Sequence, residues 1–195
     1  MKRKLFIATK NKGKIAEFEG LLLPLDFELF TLYDLPIDDI EETMDSFEGN
    51  AKLKAKALRA FTKELILADD SGLKVDALDG KPGIHSKRFS KEGTDTANNQ
   101  LLLKMMENEL DRSATFVAVF CLYLPNGEMK IFRGECHGYI HTACEGTDGF
   151  GYDPLFIPVG YNHTLAELGS ATKNKISHRR KALDKLLNFL EHYKG

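Results

Sequence analysis

Two adjacent carboxylates, Asp69 and Asp70, are the residues of this 195-residue sequence that are best placed to do chemistry. They follow an apolar run through Leu67, typical of a short buried strand, and precede the turn pair Ser71 and Gly72. We therefore expect the strand to end at the pair, where ligands of open α/β sheets bind. Because consecutive strand residues face opposite ways, the two carboxylates are expected to do different jobs. The alternative is an Asx-type turn with a solvated acidic pair.

Length and composition indicate one globular domain over residues 1–195 with a substantial core. The net charge of −2 provides no field that would recruit nucleic acid or a membrane surface. The three cysteines match neither a zinc spacing nor a disulfide framework, which favours a reducing cytoplasm. Since no stretch approaches about 18 apolar residues, no membrane span is expected.

The N-terminal segment predicts a strand over Lys4–Thr9, then a lysine-rich turn, and then a helix through about Leu23 that Pro24 stops. The backbone N–H groups and the dipole of such a helix start suit a phosphate group. A cluster of surface lysines is the alternative. The turn consists of Thr9, Lys10, Asn11, Lys12, Gly13 and Lys14.

An acidic loop over residues 38–45 precedes a long helix predicted over Ser46–Glu64. One carboxylate of this loop could meet Asp70 and hold a divalent ion, although most such loops are simply solvated. Lys54 lies on the apolar stripe of the helix, where a lysine must either snorkel to solvent or pair with an anion. Because the helix leads directly into the Asp69-Asp70 strand, pairing with those carboxylates or with a phosphate is the functional alternative.

The second half of the chain predicts a helix after Thr94, a strand over Ala114–Leu124 and an Asn-Gly hairpin turn. Two further strands are predicted over Met129–Arg133 and Cys136–Ala143. A glycine-rich loop follows, in which Phe150 or Tyr152 could stack on a planar base or plug the core.

A basic segment, Lys173–Lys181, is predicted to open the last helix. Positive charge at a helix N-terminus opposes the macrodipole, which hints at an anionic or carbonyl-rich ligand. A solvated basic face is the alternative.

Together these segments resemble, in order and over nearly the whole chain, the inosine/xanthosine triphosphate pyrophosphatase family. A single motif would be weak, but the ordered set is specific. At Asp148 the chain departs from the glycine that the family often has. The matching segments are Thr9-x-Asn11-x-x-Lys14, Glu41-Glu42-Thr43, Asn50 with Lys54, Ala68 to Leu73, Pro82 to Arg88, Phe150 to Pro154, and Lys173-x-x-Ile176-Ser177-His178-Arg179.

The resemblance implies an α/β fold with an elongated mixed β-sheet, flanked by helices and divided into two lobes with a cleft between them. It implies a homodimer that hydrolyses ITP, dITP and XTP to the monophosphate and pyrophosphate with Mg²⁺. Asp70 would be the proton acceptor and, with Glu41, a metal ligand, while Asp69 and Lys54 support catalysis. Triphosphate and sugar would contact Thr9 to Lys14 and Ser71, and the base would contact Phe150, Gly151, Tyr152, Asp153, Lys173, His178 and Arg179.

Two other function classes compete with this one. A catalytically silent purine-nucleotide sensor could use the same scaffold, but it would not need the carboxylates and lysine at Glu41, Lys54, Asp69 and Asp70. A nucleic-acid binder could use Lys173–Lys181, but the net charge and the acidic loop argue against it. We therefore expect a small-molecule nucleoside triphosphate as partner, with no nucleic acid and no membrane.

Overall fold

The computed structural model describes residues 3–25, 27–37 and 40–193. No helix within those ranges is long and apolar enough to cross a membrane. The α-helices there are α1 (Lys12–Leu22), α2 (Phe47–Arg59), α3 (Asp95–Met105), α4 (Leu165–Ile176) and α5 (His178–His192). The strands are β1 (Arg3–Ile7), β2 (Phe27–Thr31), β3 (Leu65–Val75), β4 (Ser113–Tyr123), β5 (Met129–Ile140) and β6 (Phe156–Pro158).

The six strands form one mixed sheet in the order β2-β1-β3-β4-β5-β6. β1 runs parallel to both β2 and β3, with Leu5 opposite Leu29 and Leu65. β5 and β6 are antiparallel, with Tyr139 opposite Ile157. The expected α/β fold with a mixed sheet flanked by helices is therefore confirmed.

The chain divides into two compact units, each with its own apolar core. The first unit contains the residues up to Asp70, Ala118–Arg133 and the residues from Arg180 onward, and its core includes Phe18, Phe27, Phe120 and Leu183. The second unit contains Ser71–Val117 and Gly134–Arg179, and its core includes Leu102, Phe116, Tyr152 and Phe156.

The expectation that β3 ends at the acidic pair is wrong. β3 continues from Leu65 to Val75, so Ser71 and Gly72 are strand residues and not a turn. Asp69 and Asp70 lie in mid-strand and are only 1% and 3% exposed, which also excludes the solvated acidic pair. The carboxylates are tolerated there because lysines from two helices neutralise them, as described below.

Helix α2 and strand β5 also differ from the sequence-based expectations. α2 ends at Arg59 rather than near Glu64, which leaves Phe61 44% exposed instead of on the buried stripe. Its N-cap is Ser46, whose side chain accepts a hydrogen bond from the Gly49 N–H. The two strands expected between residues 129 and 143 form the single strand β5. Residues 38 and 39 of the acidic loop lie outside the described residues.

The basic segment does not open a single helix. Lys173 and Lys175 lie in the last turn of α4, where the macrodipole favours cations, and α5 begins only at His178. Ser177 between them has an extended conformation, with φ −66° and ψ 161°. The dipole argument for a bound ligand therefore applies to His178 and Arg179 but not to Lys173.

Candidate active site

Charged side chains of the first unit and one asparagine lie together at the central strand β3, and we call this group the acidic cluster. Its residues come from α1, from the loop before α2, from α2 and from β3. The cluster consists of Lys14, Glu42, Asn50, Lys54, Asp69 and Asp70.

The lysine-rich turn positions Lys14 against Asp69. Asn11 caps α1 by accepting a hydrogen bond from the Lys14 N–H (3.1 Å), and Thr9 Oγ1 accepts one from the Asn11 N–H (3.1 Å). The Lys14 ammonium then lies 3.0 Å from Asp69 Oδ2. A helix that starts with a fixed turn and a lysine has the geometry that binds phosphate groups elsewhere.

Lys54 is paired rather than snorkelling. Its ammonium lies 2.6 Å from Glu42 Oε1, donates to the Asp69 backbone oxygen at 2.6 Å and lies 3.7 Å from Asp70 Oδ1. The residue is only 6% exposed, so the ammonium obtains its stabilisation from these oxygens and not from bulk water. Of the two possibilities that the sequence left open, the pairing with anions is confirmed.

Asp70 is held by Asn50, a residue that the sequence singles out through the family resemblance, together with Lys54. Asn50 Nδ2 donates to Asp70 Oδ2 (3.0 Å), and Asn50 Oδ1 accepts from the Met44 N–H (2.9 Å). Asn50 thus joins the acidic loop to the carboxylate. Burial raises the pKa of Asp70 to about 6, although the neighbouring Lys54 ammonium acts in the opposite direction.

Asp69 and Asp70 contact different helices, as the alternation of strand side chains predicts. The Asp69 carboxylate pairs with Lys14 at the start of α1, whereas the Asp70 carboxylate faces Asn50 and Lys54 of α2. The two acids therefore have different surroundings.

The carboxylates here suit a hard divalent cation. Glu41 is exposed, whereas the adjacent Glu42 forms the ion pair with Lys54. In the part of the chain that the structure describes, no three His, Cys, Asp or Glu residues are grouped as a metal site. Mg²⁺ usually takes only one or two carboxylates and completes its shell with water and phosphate oxygens, so Asp70 and a loop carboxylate fit it.

In the second unit, one aromatic ring lies near two cations, a carboxylate and a hydroxyl group, and we call this group the aromatic cluster. It consists of Phe150, Lys173, Arg179, Asp153 and Ser71. Asp153 Oδ2 accepts from the Phe150 N–H (2.9 Å) and lies 2.5 Å from the Lys173 ammonium. The Lys173 ammonium is 4.5 Å, and the Arg179 guanidinium 5.4 Å, from the centre of the Phe150 ring. Arg179 Nη2 donates to Ser71 Oγ at 2.6 Å. The half-buried ring is thus flanked by hydrogen-bond donors.

The other predicted base-contacting residues have different surroundings. His178 is buried and stacks on Phe116, with ring centres 4.8 Å apart and planes at 10°. Tyr152 is a core residue whose hydroxyl donates to the Ser86 backbone oxygen (2.8 Å), so the core interpretation holds for Tyr152 and stacking is left to Phe150.

Gly149 explains how the Asp153 carboxylate fits into its loop. Gly149 has φ +82°, and a Cβ at this position would overlap Asp153 Oδ2. Only glycine therefore allows the carboxylate to reach both the Phe150 N–H and Lys173.

The fold and the two clusters define a mixed α/β protein whose lysines, carboxylates and flanked ring suit a phosphorylated ligand. The chain belongs to the Ham1 family, whose model matches residues 5–189. It is 47% identical over 193 residues to the dITP/XTP pyrophosphatase of Oceanobacillus iheyensis, covering 96% of this chain and 98% of that protein. It is 49% identical over 185 residues to the dITP/XTP pyrophosphatase of an Exiguobacterium strain, covering 94% of each. The solved HAM1 protein of Coxiella burnetii superposes with a TM-score of 0.88 at 37% identity, covering 98% of this chain and 100% of that one.

Proposed function

We propose that this protein hydrolyses non-standard purine nucleoside triphosphates, with ITP, dITP and XTP as substrates and the nucleoside monophosphate and pyrophosphate as products. The acidic cluster carries this proposal, since two buried carboxylates beside Lys14 at the start of α1 and Lys54 within α2 suit the cleavage of a phosphoanhydride. The names of relatives nearly half identical over almost their whole length, dITP/XTP pyrophosphatases, support it.

The triphosphate binds at the start of α1. The segment from Thr9 to Lys14 offers backbone N–H groups and the positive end of the helix dipole, and Lys10, Lys12 and Lys14 add positive charge. Lys54 adds a further cation next to Asp70. These charges stabilise the negative charge that develops on the departing pyrophosphate.

Asp70 acts as the general base. Asn50 fixes the orientation of its carboxylate, and in the metal-free protein burial raises the pKa of Asp70 to about 6, which favours proton uptake; bound Mg²⁺ would lower this pKa. A water molecule loses its proton to Asp70 while its oxygen bonds to the α-phosphorus, and the bond from that phosphorus to the bridging oxygen breaks. The bridging oxygen and its electron pair leave with pyrophosphate. Asp70 and a carboxylate of the acidic loop, which the family resemblance gives as Glu41, would hold Mg²⁺, and the ion would supply Lewis-acid stabilisation of phosphate charge.

The aromatic cluster binds the base. Phe150 stacks on the purine, and Lys173 and Arg179 beside the ring offer hydrogen-bond donors to the 6-oxo group. His178, which stacks on Phe116, is assigned to the base from the family resemblance alone. Adenine has an amino group in place of the 6-oxo group, so a donor would face a donor. Leaving buried polar groups unpaired in this way can reject an analogue by roughly 10⁴-fold.

The test is pyrophosphate release from ITP, XTP, dITP, ATP and GTP, with and without Mg²⁺. We expect turnover of the first three, little turnover of ATP, and loss of turnover in EDTA. Tight binding of ITP without release of pyrophosphate would instead support the purine-nucleotide sensor. Activity without added metal would contradict the Mg²⁺ dependence alone.

The homodimer is proposed only from the family resemblance, and the cytoplasmic location from the cysteine pattern. Light scattering coupled to size-exclusion chromatography measures the first, and we expect twice the chain mass of 21.9 kDa.

A further inference from the structure

Two side chains of α3 bind both polar groups of one glycine in the loop that carries Phe150. The Gly151 N–H donates to Asp95 Oδ2 (2.7 Å), and Asn99 Nδ2 donates to the Gly151 carbonyl oxygen (2.9 Å). Asp95 and Asn99 are four residues apart, so they lie one above the other on the same helix face. All of these residues belong to the second unit.

Neither side chain is the N-cap of the helix. The N-cap of α3 is Thr94, whose side chain accepts from the Ala97 N–H (3.2 Å), so Asp95 is available for the loop. Asn99 is 5% exposed in a helix interior, where asparagine has a low helix propensity and burial of an amide is unfavourable without partners. Its contact with Gly151 gives the buried amide a partner.

Hydrogen bonds from α3 reach both polar groups of the Gly151 backbone. This glycine has φ +63°, and a Cβ placed on it would meet no atom within 4 Å, so the space where that Cβ would lie is open. On one side, Tyr152 is anchored in the core through Ser86, whereas Phe150 on the other side is only half-buried.

We propose that Asp95 and Asn99 are positioning residues that determine base specificity by holding the Gly151 peptide and, through it, the Phe150 ring. This inference rests on the proposed function, because it assigns base stacking to Phe150. Without the two hydrogen bonds the Phe150 ring loses its fixed position beside Lys173 and Arg179. The donors then no longer distinguish a 6-oxo from a 6-amino purine.

The experiment compares kcat and KM for dITP and dATP in wild type, Asp95→Ala and Asn99→Ala. We expect KM for dITP to rise about tenfold in each variant, as for the loss of one strong hydrogen bond, with a smaller change in kcat. The ratio of kcat/KM for dITP to that for dATP should fall by a similar factor. A purely structural role would change the amount of folded enzyme but not this ratio.

Matched variants separate the contact from its charge. Asp95→Asn keeps an oxygen that accepts from the Gly151 N–H and should restore most of the discrimination lost in Asp95→Ala. Lys87→Ala removes the ion pair between Lys87 and Asp95 Oδ1 (3.0 Å) without touching Gly151 and should behave as wild type. Gln100→Ala, at the exposed neighbouring position, is the control for α3 itself.

The inference is overturned if the Ala variants keep the wild-type ratio, or if Lys87→Ala lowers the ratio as much as Asp95→Ala. Asp95 is partly exposed, so we expect its variants to fold, and they test the proposal even if Asn99→Ala does not fold. If the wild type cleaves no purine triphosphate, the proposed function fails. Calorimetric binding of ITP in EDTA then tests the positioning role: weaker binding by both Ala variants supports it, and equal binding overturns it.

Discussion

The substitution Asp70→Asn is expected to abolish turnover and, at the same time, to stabilise the metal-free protein at pH 8. The side chain is 3% exposed, and burial raises the pKa of Asp70 from 3.8 to about 6. A carboxylate with a raised pKa in the folded state is more easily ionised in the unfolded chain. Its ionisation therefore destabilises the fold progressively as pH rises from about 4, with the full effect above about 6.

The size of the effect follows from the two pKa values. A difference of about two pKa units corresponds to roughly 3 kcal/mol in the free energy of unfolding at pH 8. For a chain of this length, 1 kcal/mol shifts Tm by roughly 2–4 °C, so Tm of the variant should rise by roughly 6–12 °C. At pH 5 wild-type Asp70 is mostly protonated in the folded state, and the gain should shrink to roughly half. Below about pH 4 it should vanish.

The assay is thermal unfolding in EDTA at pH 8 and pH 5, together with pyrophosphate release from dITP at pH 8 with Mg²⁺. Asp111→Asn is the control, because hydrogen bonds from Ser113 lower the pKa of this exposed carboxyl and its neutralisation should give no gain. A variant Tm at or below that of wild type at pH 8 would refute the reasoning and show that the contact with Lys54 outweighs burial. A kcat above about a tenth of wild type would show that Asp70 is not the general base.

Three further substitutions test other parts of the two clusters. Glu41→Gln should raise the Mg²⁺ concentration for half-maximal turnover, and an unchanged titration would move the metal role to Glu42. Lys54→Met should lower both Tm and kcat/KM, because removing one partner of a buried ion pair lowers the free energy of unfolding by roughly 3–5 kcal/mol. An unchanged melting curve would show that the ion pair between Lys54 and Glu42 does not stabilise the fold. Gly149→Ala should displace the Asp153 carboxylate and reduce kcat/KM for dITP more than for dATP. Equal losses on the two substrates would show that this loop does not determine which base is accepted.

Elements with strong local signals could be predicted from the sequence. Thr94 caps α3 as expected, its side chain accepting a hydrogen bond from the Ala97 N–H. The Asn-Gly turn before β5 forms as predicted, with the Gly127 N–H bound to the Leu124 carbonyl. These features depend on residues within four positions of one another, so the sequence alone contains the interacting partners.

The site was predictable in its residue types but not in all of its contacts. A lysine on an apolar helix face must either snorkel to solvent or pair with an anion, and Lys54 has Glu42 and Asp70 as partners. The choice of Glu42 over its neighbour Glu41 for this pair depends on how the loop passes α2. Local sequence does not encode that path.

Only the tertiary structure decided that β3 continues through Asp69 and Asp70. Local signals indicate a turn after two adjacent carboxylates, but Lys14, 55 positions away from Asp69, and Lys54, 15 positions away, make a buried strand possible. In the same way, the Gly151 peptide is held by Asn99, 52 positions away. The sequence determined which groups are charged or polar and which segments begin helices. Folding decided which of those groups meet, because a buried charge or amide is stable only where a distant part of the chain supplies its partner.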